Sequence, residues 1–311
     1  MSYAALTLLA AIVTRLPLAA RVGLGRVLGI LAGSVFRIRR ALVEAAMARA
    51  GIDDPASVAA AMYRSLGEGL VELLWLAAAP AARREEVIAR VSIDDASAAA
   101  LDAACARGPV VLFASHTGNW ELAAAGAARL LARSKRRLAV VAKPMHAAGV
   151  DVFLRRLRER CAIHVLSPRG ALASARRSLD AGDVVVMPID QVPDRACHGL
   201  PLPFLGELAV TDRAPATLAW RARATVLVVA SERATLGEAG AVHRVRVLDV
   251  IEPPAEGDAA SRWIAATTTR ATSRLDAFVR GAPASWMWLH RRWRAPRAGR
   301  LPRLVATRQA G

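Results

Sequence analysis

Cysteine is scarce in this chain of 311 residues, and the cysteine spacing argues against two common classes of protein, those built on disulfides and those that bind zinc. Cys105, Cys161 and Cys197 are odd in number, lie far apart and form no CxxC or Cys/His cluster. This argues against a disulfide framework and against a zinc site. We therefore expect the bulk of the chain to lie in a reducing compartment and to hold no metal.

An uninterrupted hydrophobic run long enough to cross a bilayer is also lacking near the N-terminus. Residues 4–14 are apolar but too few for a spanning helix, which needs about 20 residues. Residues 22–36 are again largely apolar, and Gly25, Gly29 and Gly33 form a small-residue face suited to close helix packing. We predict that residues 1–40 form two helices lying in a membrane interface, with the following chain on the cytoplasmic side. The alternative is an ordinary buried helical hairpin.

Negative charge is underrepresented. Lysine and arginine total 43 against 26 acidic residues, giving a net charge of +17, and only two of the 43 are lysines. Such a field favours an anionic partner, namely nucleic acid, anionic lipid or an acidic carrier protein. Because the arginines are scattered and no recognised nucleic-acid-binding motif is present, a basic non-enzymatic nucleic-acid-binding protein is only a remote alternative. We predict no nucleic-acid partner.

Hydrophobic residues are abundant, at 54% of the chain, and their pattern predicts the fold. Residues 41–90 have helical periodicity, after which short apolar runs alternate with amphipathic stretches. We predict strands at 110–114, 138–142, 163–166, 184–189, 226–230 and 242–250, and helices at 120–133, 150–160, 171–179, 211–223 and 258–280. The alternation predicts an α/β fold with a mostly parallel central sheet flanked by helices. No linker divides residues 41–311, which we interpret as a single domain after the N-terminal helices of residues 1–40.

The most informative segment lies where the first of these strands ends. His116 and Glu121 are five residues apart, about 140° around a regular helix, so they can meet only if His116 lies in the preceding loop. Gly118 makes such a turn accessible. A carboxylate on one imidazole nitrogen raises the basicity of the other, as a general base requires. The spacing alone is weak evidence, because His146 and Asp151 repeat it.

Further segments in the same order strengthen this interpretation. The sequence His-Thr-Gly-Asn-Trp-Glu resembles the first motif of the lysophospholipid acyltransferase superfamily, in its late lipid A acyltransferase branch of the lauroyl or myristoyl type. The resemblance spans about residues 5 to 300 and favours His116 and Glu121 over the second pair. It is carried by segments 116–121, Asp151 with Arg158, 181–191 ending in Asp-Gln, 202–206 followed by Thr211 as the start of a helix, and 287–293.

The resemblance implies a glycerol-3-phosphate acyltransferase-like fold and a reaction. A fatty acyl chain would pass from an acyl carrier protein thioester, or a coenzyme A thioester as co-substrate, to a hydroxyl of a lipid A precursor or related glycolipid. His116 would be the general base and Glu121 the group that orients it. The expected partners are acyl carrier protein and a glycolipid acceptor at the cytoplasmic face of the bacterial inner membrane, with no further cofactor. A lysophospholipid or another lipid is the alternative acceptor.

Six residues are candidates for substrate binding, and five of them have a structural alternative. Asn119 could instead cap a helix, Arg158 could belong to a solvated basic face, and the Asp-Gln pair could close a loop by hydrogen bonds. The aromatic candidate could line an acyl slot or belong to the ordinary core. The candidates are Asn119, Arg158, Asp190, Gln191, Phe204 and Gly206.

The tryptophan- and arginine-rich segment near the C-terminus has two interpretations. Trp286, Trp288 and Trp293 with Arg291 and Arg292 suit a bilayer interface, where indoles and guanidinium groups anchor. Packing of the same tryptophans at the end of a C-terminal helix is the alternative.

Overall fold

The central sheet has seven strands in the order β1-β9-β8-β2-β5-β3-β4, and a separate β6–β7 hairpin lies outside it. The computed structural model describes residues 2–167, 170–193, 196–234 and 243–294. The strands are β1 Val91–Ile93, β2 Val110–Ala114, β3 Leu138–Val141, β4 Ile163–Leu166, β5 Val184–Pro188, β6 Gly199–Phe204, β7 Glu207–Asp212, β8 Thr225–Arg233 and β9 His243–Ile251.

Eleven α-helices surround the sheet within the described ranges. They are α1 Tyr3–Val13, α2 Leu18–Ile30, α3 Arg40–Arg49, α4 Pro55–Ala78, α5 Ala81–Ile88, α6 Asp95–Arg107, α7 Trp120–Ala132, α8 Ala148–Arg160, α9 Ala171–Asp180, α10 Ala214–Ala222 and α11 Ala260–Gly281. A π-helical turn, Leu31–Val35, continues α2.

The sheet is parallel from β8 through β4 and changes direction at β9, which is antiparallel to β8 and parallel to β1. Strand β2 lies at its centre, and all but its last residue are buried. Side chains alternate along a strand, so Val110 and Leu112 enter the hydrophobic cluster on one face, and Val111 and Phe113 enter the cluster on the other. The predicted mostly parallel α/β sheet flanked by helices is confirmed.

The predicted helix start at Thr211 is wrong. Thr211 is a buried residue of β7, and α10 begins at Ala214, where the Asp212 side chain accepts the Ala214 N–H at 2.8 Å. Strands β6 and β7 are joined by Leu205 and Gly206, whose φ angles are +51° and +88°. Two successive positive φ angles are typical of a tight hairpin turn and explain a glycine at position 206.

The small-residue face of α2 packs directly on α4, as the sequence predicts. A Cβ atom built on Gly25 would lie 2.5 Å from Glu68 Cα, and one on Gly29 would lie 2.4 Å from the Tyr63 carbonyl oxygen. Gly67 of α4 faces them, with space for a side chain excluded by the backbone of α2. The two helices therefore meet backbone to backbone.

The opposite side of the N-terminal helices carries exposed apolar side chains. The segment Leu18–Val35 is long and apolar enough to cross a membrane, by length and composition only. The exposed large apolar residues of α1, α2 and the following turn are Leu8, Leu9, Ile12, Leu18, Val27, Ile30, Leu31, Val35, Phe36 and Ile38.

Candidate active site

Strand register brings His116 and Asp190 together. Ala114, the last residue of β2, pairs with Pro188, the last residue of β5, and each polar residue follows its strand by two positions. The two side chains therefore emerge at the same height from adjacent parallel strands. This is the carboxyl edge of the sheet, where α/β folds place their sites.

Asp190 holds His116 by two routes. The His116 Nδ1 atom lies 2.9 Å from Asp190 Oδ1 and 3.2 Å from Oδ2, and the His116 backbone N–H donates to Oδ2 at 2.8 Å. Trp286 Nε1 donates to the same Oδ2 at 2.9 Å. A carboxylate accepts hydrogen bonds, so Nδ1 carries the proton and Nε2 keeps its lone pair. The amide nitrogen of Gln191 lies 3.3 Å from that Nε2.

The same contacts set the charge of the pair. Burial by itself lowers the pKa of His116, but the charge and hydrogen bond of Asp190 outweigh it, so the net shift is upward. For Asp190, burial raises the pKa, and His116 with the donated hydrogen bonds lowers it well below its usual range. The carboxylate stays ionised, and the ring is a stronger base than a free histidine.

Glu121 lies in the first turn of α7, as predicted, but its carboxylate does not contact the ring. Arg158 of α8 binds it in a bidentate fashion, with Nε at 2.9 Å from Oε2 and Nη2 on Oε1. The carboxylate that contacts the His116 ring is that of Asp190, which corrects the expected Glu121–His116 contact. Glu121 acts on His116 only through its charge, which raises the pKa of the imidazole.

Residues 115–119 form the turn between β2 and α7, called the catalytic turn because it carries the candidate base His116, and Ser231 of β8 holds this turn. Thr117 Oγ1 accepts the Ser231 N–H at 3.0 Å, and the Thr117 carbonyl accepts the Ser231 hydroxyl at 2.6 Å. Gly118 has a φ of +56°, and a Cβ atom there would lie 2.8 Å from Ser231 Oγ. The predicted need for glycine is confirmed by both conformation and space.

A C-terminal segment pairs with this turn through the backbone. The Gly118 N–H donates to the Ser285 carbonyl at 2.7 Å, and the Met287 N–H donates to the His116 carbonyl at 3.0 Å. The sequence contained no sign of this pairing, because the partners lie more than 160 residues apart.

Asn119 is the N-cap of α7. Its side-chain oxygen accepts the Leu122 N–H at 3.3 Å, and its amide nitrogen donates to Glu72 of α4 at 2.9 Å. Both polar ends of the side chain are thus used by the protein itself, which supports the capping alternative.

Glu72 is also the centre of a second buried charge cluster. Arg233 donates to both of its oxygens, at 3.0 and 2.9 Å, and His243 Nε2 lies 3.0 Å from Oε2. Burial raises the pKa of Glu72, but the hydrogen bond and charge of His243, with Arg233, bring it down to about 2. The cluster contacts the catalytic turn through Asn119.

Phe204 and Gly206 have structural roles within the fold. Phe204 is buried, packs edge to face on Trp286 and accepts the Trp293 indole N–H through its carbonyl at 3.2 Å. Gly206 occupies the β6–β7 turn. These positions support packing and turn roles instead of substrate contact.

The tryptophans of the C-terminal segment do not face a membrane. Trp286 and Trp288 are fully buried, and Trp293 is half-buried against Phe204. The buried Arg292 donates to the Val210 carbonyl at 2.6 Å. The anchoring interpretation is wrong for Trp286, Trp288 and Arg292, which are buried in the packed support under Asp190.

His290 is a residue of the site to which the sequence assigned no role. Its ring lies 5.1 Å from the His116 ring in an edge-to-face arrangement, and its Nε2 is buried with no hydrogen-bond partner among the described residues. Burial, followed by the charge of His116, lowers the pKa of His290 to about 4. The ring is therefore neutral beside His116. Sequence reasoning could have found His290 because it lies in segment 287–293, one of the segments that carry the family resemblance.

Two cavities adjoin this centre. One of about 390 Å³ is lined by Gln191 and His290 together with the basic residues Arg39, Lys143, Arg291, Arg292 and Arg294. The other, of about 90 Å³, is apolar and lies between the sheet and helices α6 and α7, with Ser115, Thr117 and Trp120 lining it. The Trp120 ring also meets the His116 ring edge to face at 5.0 Å.

His116, Asp190 and His290 are the one group of potential metal ligands found among the described residues. Both Asp190 oxygens already accept hydrogen bonds, and the His116–Asp190 separations are those of hydrogen bonds between the residues themselves. The group fits a proton-transfer pair better than a metal centre.

His146 and Asp151 show the contrast. His146 is exposed, and Asp151 accepts the Met145 N–H at 2.9 Å and an Arg155 hydrogen bond at 3.1 Å. The repeated spacing thus lies on the surface, where Asp151 fixes the start of α8.

The chain matches a known protein family over nearly its whole length. The family model described as bacterial lipid A biosynthesis acyltransferase matches residues 2–295. A search of curated proteins returned no match. The family match covers the N-terminal helices, the sheet and the C-terminal segment that supports Asp190. Since it extends over nearly the whole sequence, the chain belongs to the bacterial lipid A biosynthesis acyltransferase family.

Proposed function

We propose that this chain transfers a fatty acyl group from an acyl carrier protein thioester to a hydroxyl of a lipid A precursor, with His116 as the general base. The observation that carries the proposal is the His116–Asp190 pair, whose buried carboxylate fixes the Nδ1–H tautomer and leaves Nε2 as the basic atom. Membership of an enzyme family argues against the non-enzymatic, nucleic-acid-binding alternative.

The proposed reaction needs one proton relay. An alcohol is a poor nucleophile because it keeps its proton at neutral pH, and a positioned base contributes about 10²- to 10⁴-fold to such a step. His116 Nε2 takes the proton as the acceptor oxygen bonds to the thioester carbonyl carbon. The carbon–sulfur bond then breaks, and the imidazolium returns the proton to the departing thiolate. Asp190 stabilises the imidazolium in between.

The apolar cavity beside Trp120 is the best candidate for the acyl chain. Its walls include Leu112, Ala124, Leu138 and Leu227, and each buried methylene contributes about 0.8 kcal/mol to binding. The cavity adjoins the catalytic base through Trp120, which replaces Phe204 as the proposed aromatic wall.

The Glu121–Arg158 pair supports the site from the other side. Arg158 is largely buried and already paired, so its role is to hold the first turn of α7 and neutralise Glu121 next to His116. We assign the orienting role to Asp190 and a positioning role to Glu121.

The exposed apolar face of α1 and α2 supports association with the inner membrane from the cytoplasmic side, where acyl carrier protein and the acceptor meet. The surplus of 17 positive charges would steer both the acidic carrier and a phosphorylated glycolipid. A lysophospholipid is the alternative acceptor.

The experiment compares His116→Ala with His146→Ala in the full-length protein. Purified enzyme receives acyl carrier protein donors and a panel of lipid A precursor and lysophospholipid acceptors, and product is measured by mass spectrometry. We expect His116→Ala to lose about 10²- to 10⁴-fold in transfer, and His146→Ala, whose side chain is exposed, to match the wild type. Equal activity of the two variants contradicts the assignment of the base, and exclusive use of lysophospholipid contradicts the assignment of the acceptor.

A further inference from the structure

A third cavity has walls that do not include His116. It has a volume of about 670 Å³ and lies between α2, α4 and the end of β8. Ser285 lines it, and the carbonyl of Ser285 accepts the Gly118 N–H of the catalytic turn. The cavity therefore adjoins the catalytic turn through Ser285, although His116 is not among its lining residues.

The charge of these walls is strongly positive. Five arginines and two glutamates line the cavity, a surplus of three positive charges. The glutamates are already neutralised, since Arg26 pairs with Glu68 at 3.0 Å and Arg233 pairs with both Glu68 and Glu72. The remaining arginines, Arg21, Arg64 and Arg90, have no carboxylate within ion-pair distance among the described residues.

Unpartnered donors lie in the same walls. Buried polar atoms without a hydrogen-bond partner include Arg21 Nε, Trp75 Nε1 and Arg233 Nε, and all three residues line this cavity. The Arg21 guanidinium lies over the Trp75 ring, 3.5 Å from its centre. Buried donors are normally satisfied, so a group of them around one cavity points to a missing acceptor with several oxygens.

The position of the cavity indicates where that acceptor comes from. Leu18 and Val22 of α2 line it, and Leu18 also belongs to the exposed apolar face of the N-terminal helices. A ligand entering beside this face arrives from a lipid surface. An anion with several oxygens at a lipid surface is a phosphate headgroup.

We infer that this cavity, between α2, α4 and β8, binds the phosphate monoester of a membrane lipid through Arg21, Arg90 and Arg233. The inference rests on the proposed function in one respect, because the phosphorylated glycolipid acceptor is the lipid that the reaction brings to this face. Phosphate bound here would hold the sugar next to the catalytic turn through Ser285.

The binding experiment uses the whole protein and does not depend on activity. Wild type, the double variant Arg21→Gln/Arg90→Gln, and Arg133→Gln are floated with phosphatidylcholine vesicles that contain either phosphatidic acid or, at matched surface charge, phosphatidylglycerol. Arg133 is exposed at the end of α7 and serves as the charge control. We expect the wild type and Arg133→Gln to prefer the monoester, and the double variant to bind it about tenfold more weakly.

Two results overturn the inference: an unchanged preference in the double variant, or an equal loss in Arg133→Gln. A third arm measures thermal protection by inorganic phosphate in detergent. Protection of the wild type by free phosphate equal to that by phosphatidic acid would assign the cavity to a soluble ligand and overturn the lipid assignment.

The transfer assay separates this inference from the proposed function. With a phosphorylated acceptor, we expect KM of the double variant to rise about tenfold at unchanged kcat, because the chemistry at His116 is intact. With an acceptor whose phosphates have been removed, wild type and double variant should have equal kcat/KM. Loss of phosphatidic acid binding without any KM change contradicts the acceptor as the occupant, whatever His116→Ala does.

Discussion

Among the described residues, two histidines are paired with a carboxylate, His116 with Asp190 and His243 with Glu72, and the two pairs differ in what surrounds them. In the first, His116 keeps 20% of its side chain exposed while Asp190 is fully buried. In the second, His243 is 1% exposed and shares Glu72 with Arg233 and Asn119. The same two functional groups therefore make a partly exposed candidate base at the carboxyl edge of the sheet and, beside the cavity between α2, α4 and β8, a charge cluster in which the imidazole is buried.

The difference teaches that pairing alone does not make a catalytic histidine. Asp190 receives its donors from His116 and from neutral groups, so its charge acts mainly on the imidazole. Glu72 divides its charge between a guanidinium and an imidazole that has no route to a substrate. The 20% exposure of the His116 side chain, and a carboxylate that makes no salt bridge to an arginine among the described residues, distinguish the first pair.

Removal of the Asp190 charge should have the largest effect on activity, and it tests whether the first pair is the one that supports transfer. We expect Asp190→Asn to lower kcat/KM by about 10²- to 10⁴-fold, since the tautomer and the stabilisation of the imidazolium are both lost. Glu121→Gln, the matched control in the same field, should cost less because its hydrogen bonds go to Arg158. The measurement is steady-state transfer on both variants, with circular dichroism to verify folding. A larger loss in Glu121→Gln would return the orienting role to Glu121.

The second pair should govern stability instead. Glu72→Gln removes the charge that Arg233 and the buried His243 share, and because Arg233 keeps its pair with Glu68 at 3.2 Å, we expect a cost of about 1–3 kcal/mol. Glu252→Gln, which breaks an exposed pair with Arg107, should cost about 0–1 kcal/mol. Urea unfolding measures both. An equal cost for the two variants would contradict a buried structural cluster.

The pH dependence of the unfolding free energy is a further test of the cluster around Glu72. The pKa of Glu72 is lowered to about 2, so its contribution is present above the usual glutamate range and lost as pH falls through that range toward 2. The unfolding free energy of the wild type should therefore fall on acidification more steeply than that of Glu72→Gln.

The smallest effect concerns the pH profile of transfer. His116 must be neutral to accept a proton, and its pKa is raised, so the acidic limb of kcat/KM should have its midpoint above 6.5. In Asp190→Asn, the charge that outweighs burial is gone, so the pKa of His116 falls and the acidic limb should move to lower pH. Glu121→Gln should move the limb in the same direction by less, because Glu121 raises this pKa less than Asp190 does. An unchanged limb in Asp190→Asn would show that another group titrates.

The fold was predictable where burial on both faces leaves a continuous apolar run. The predicted strands at 110–114 and 163–166 have the same bounds as β2, Val110–Ala114, and β4, Ile163–Leu166. Their bounds were predictable because polar or helix-forming segments lie on either side. The β6–β7 hairpin was missed because Pro201 and Pro203 argue against a sheet strand. Prolines are accommodated there because the hairpin has only two strands.

The site was predictable only as far as single segments. His116 follows from its motif, and Asp190 could be placed at a strand end but not on His116, because strand order and register are set by tertiary packing. Trp286 is 96 residues from Asp190, and no local pattern connects them. Glu121 had the right spacing, and its preference for Arg158 depends on how α7 and α8 pack.

The backbone pairing of the C-terminal segment with the catalytic turn has a consequence for biosynthesis. Ser285 and Met287 hold the turn, and Trp286 supplies a hydrogen bond to Asp190, so the His116–Asp190 pair is fully assembled only after residues 285–287, far downstream of His116, have been made. A nascent chain whose N-terminal helices have already reached a bilayer still lacks these groups while they remain in the ribosomal exit tunnel. The N-terminal helices can thus bind lipid before the His116–Asp190 pair is complete. A translation product interrupted before residue 285 would lack the contacts that hold this pair.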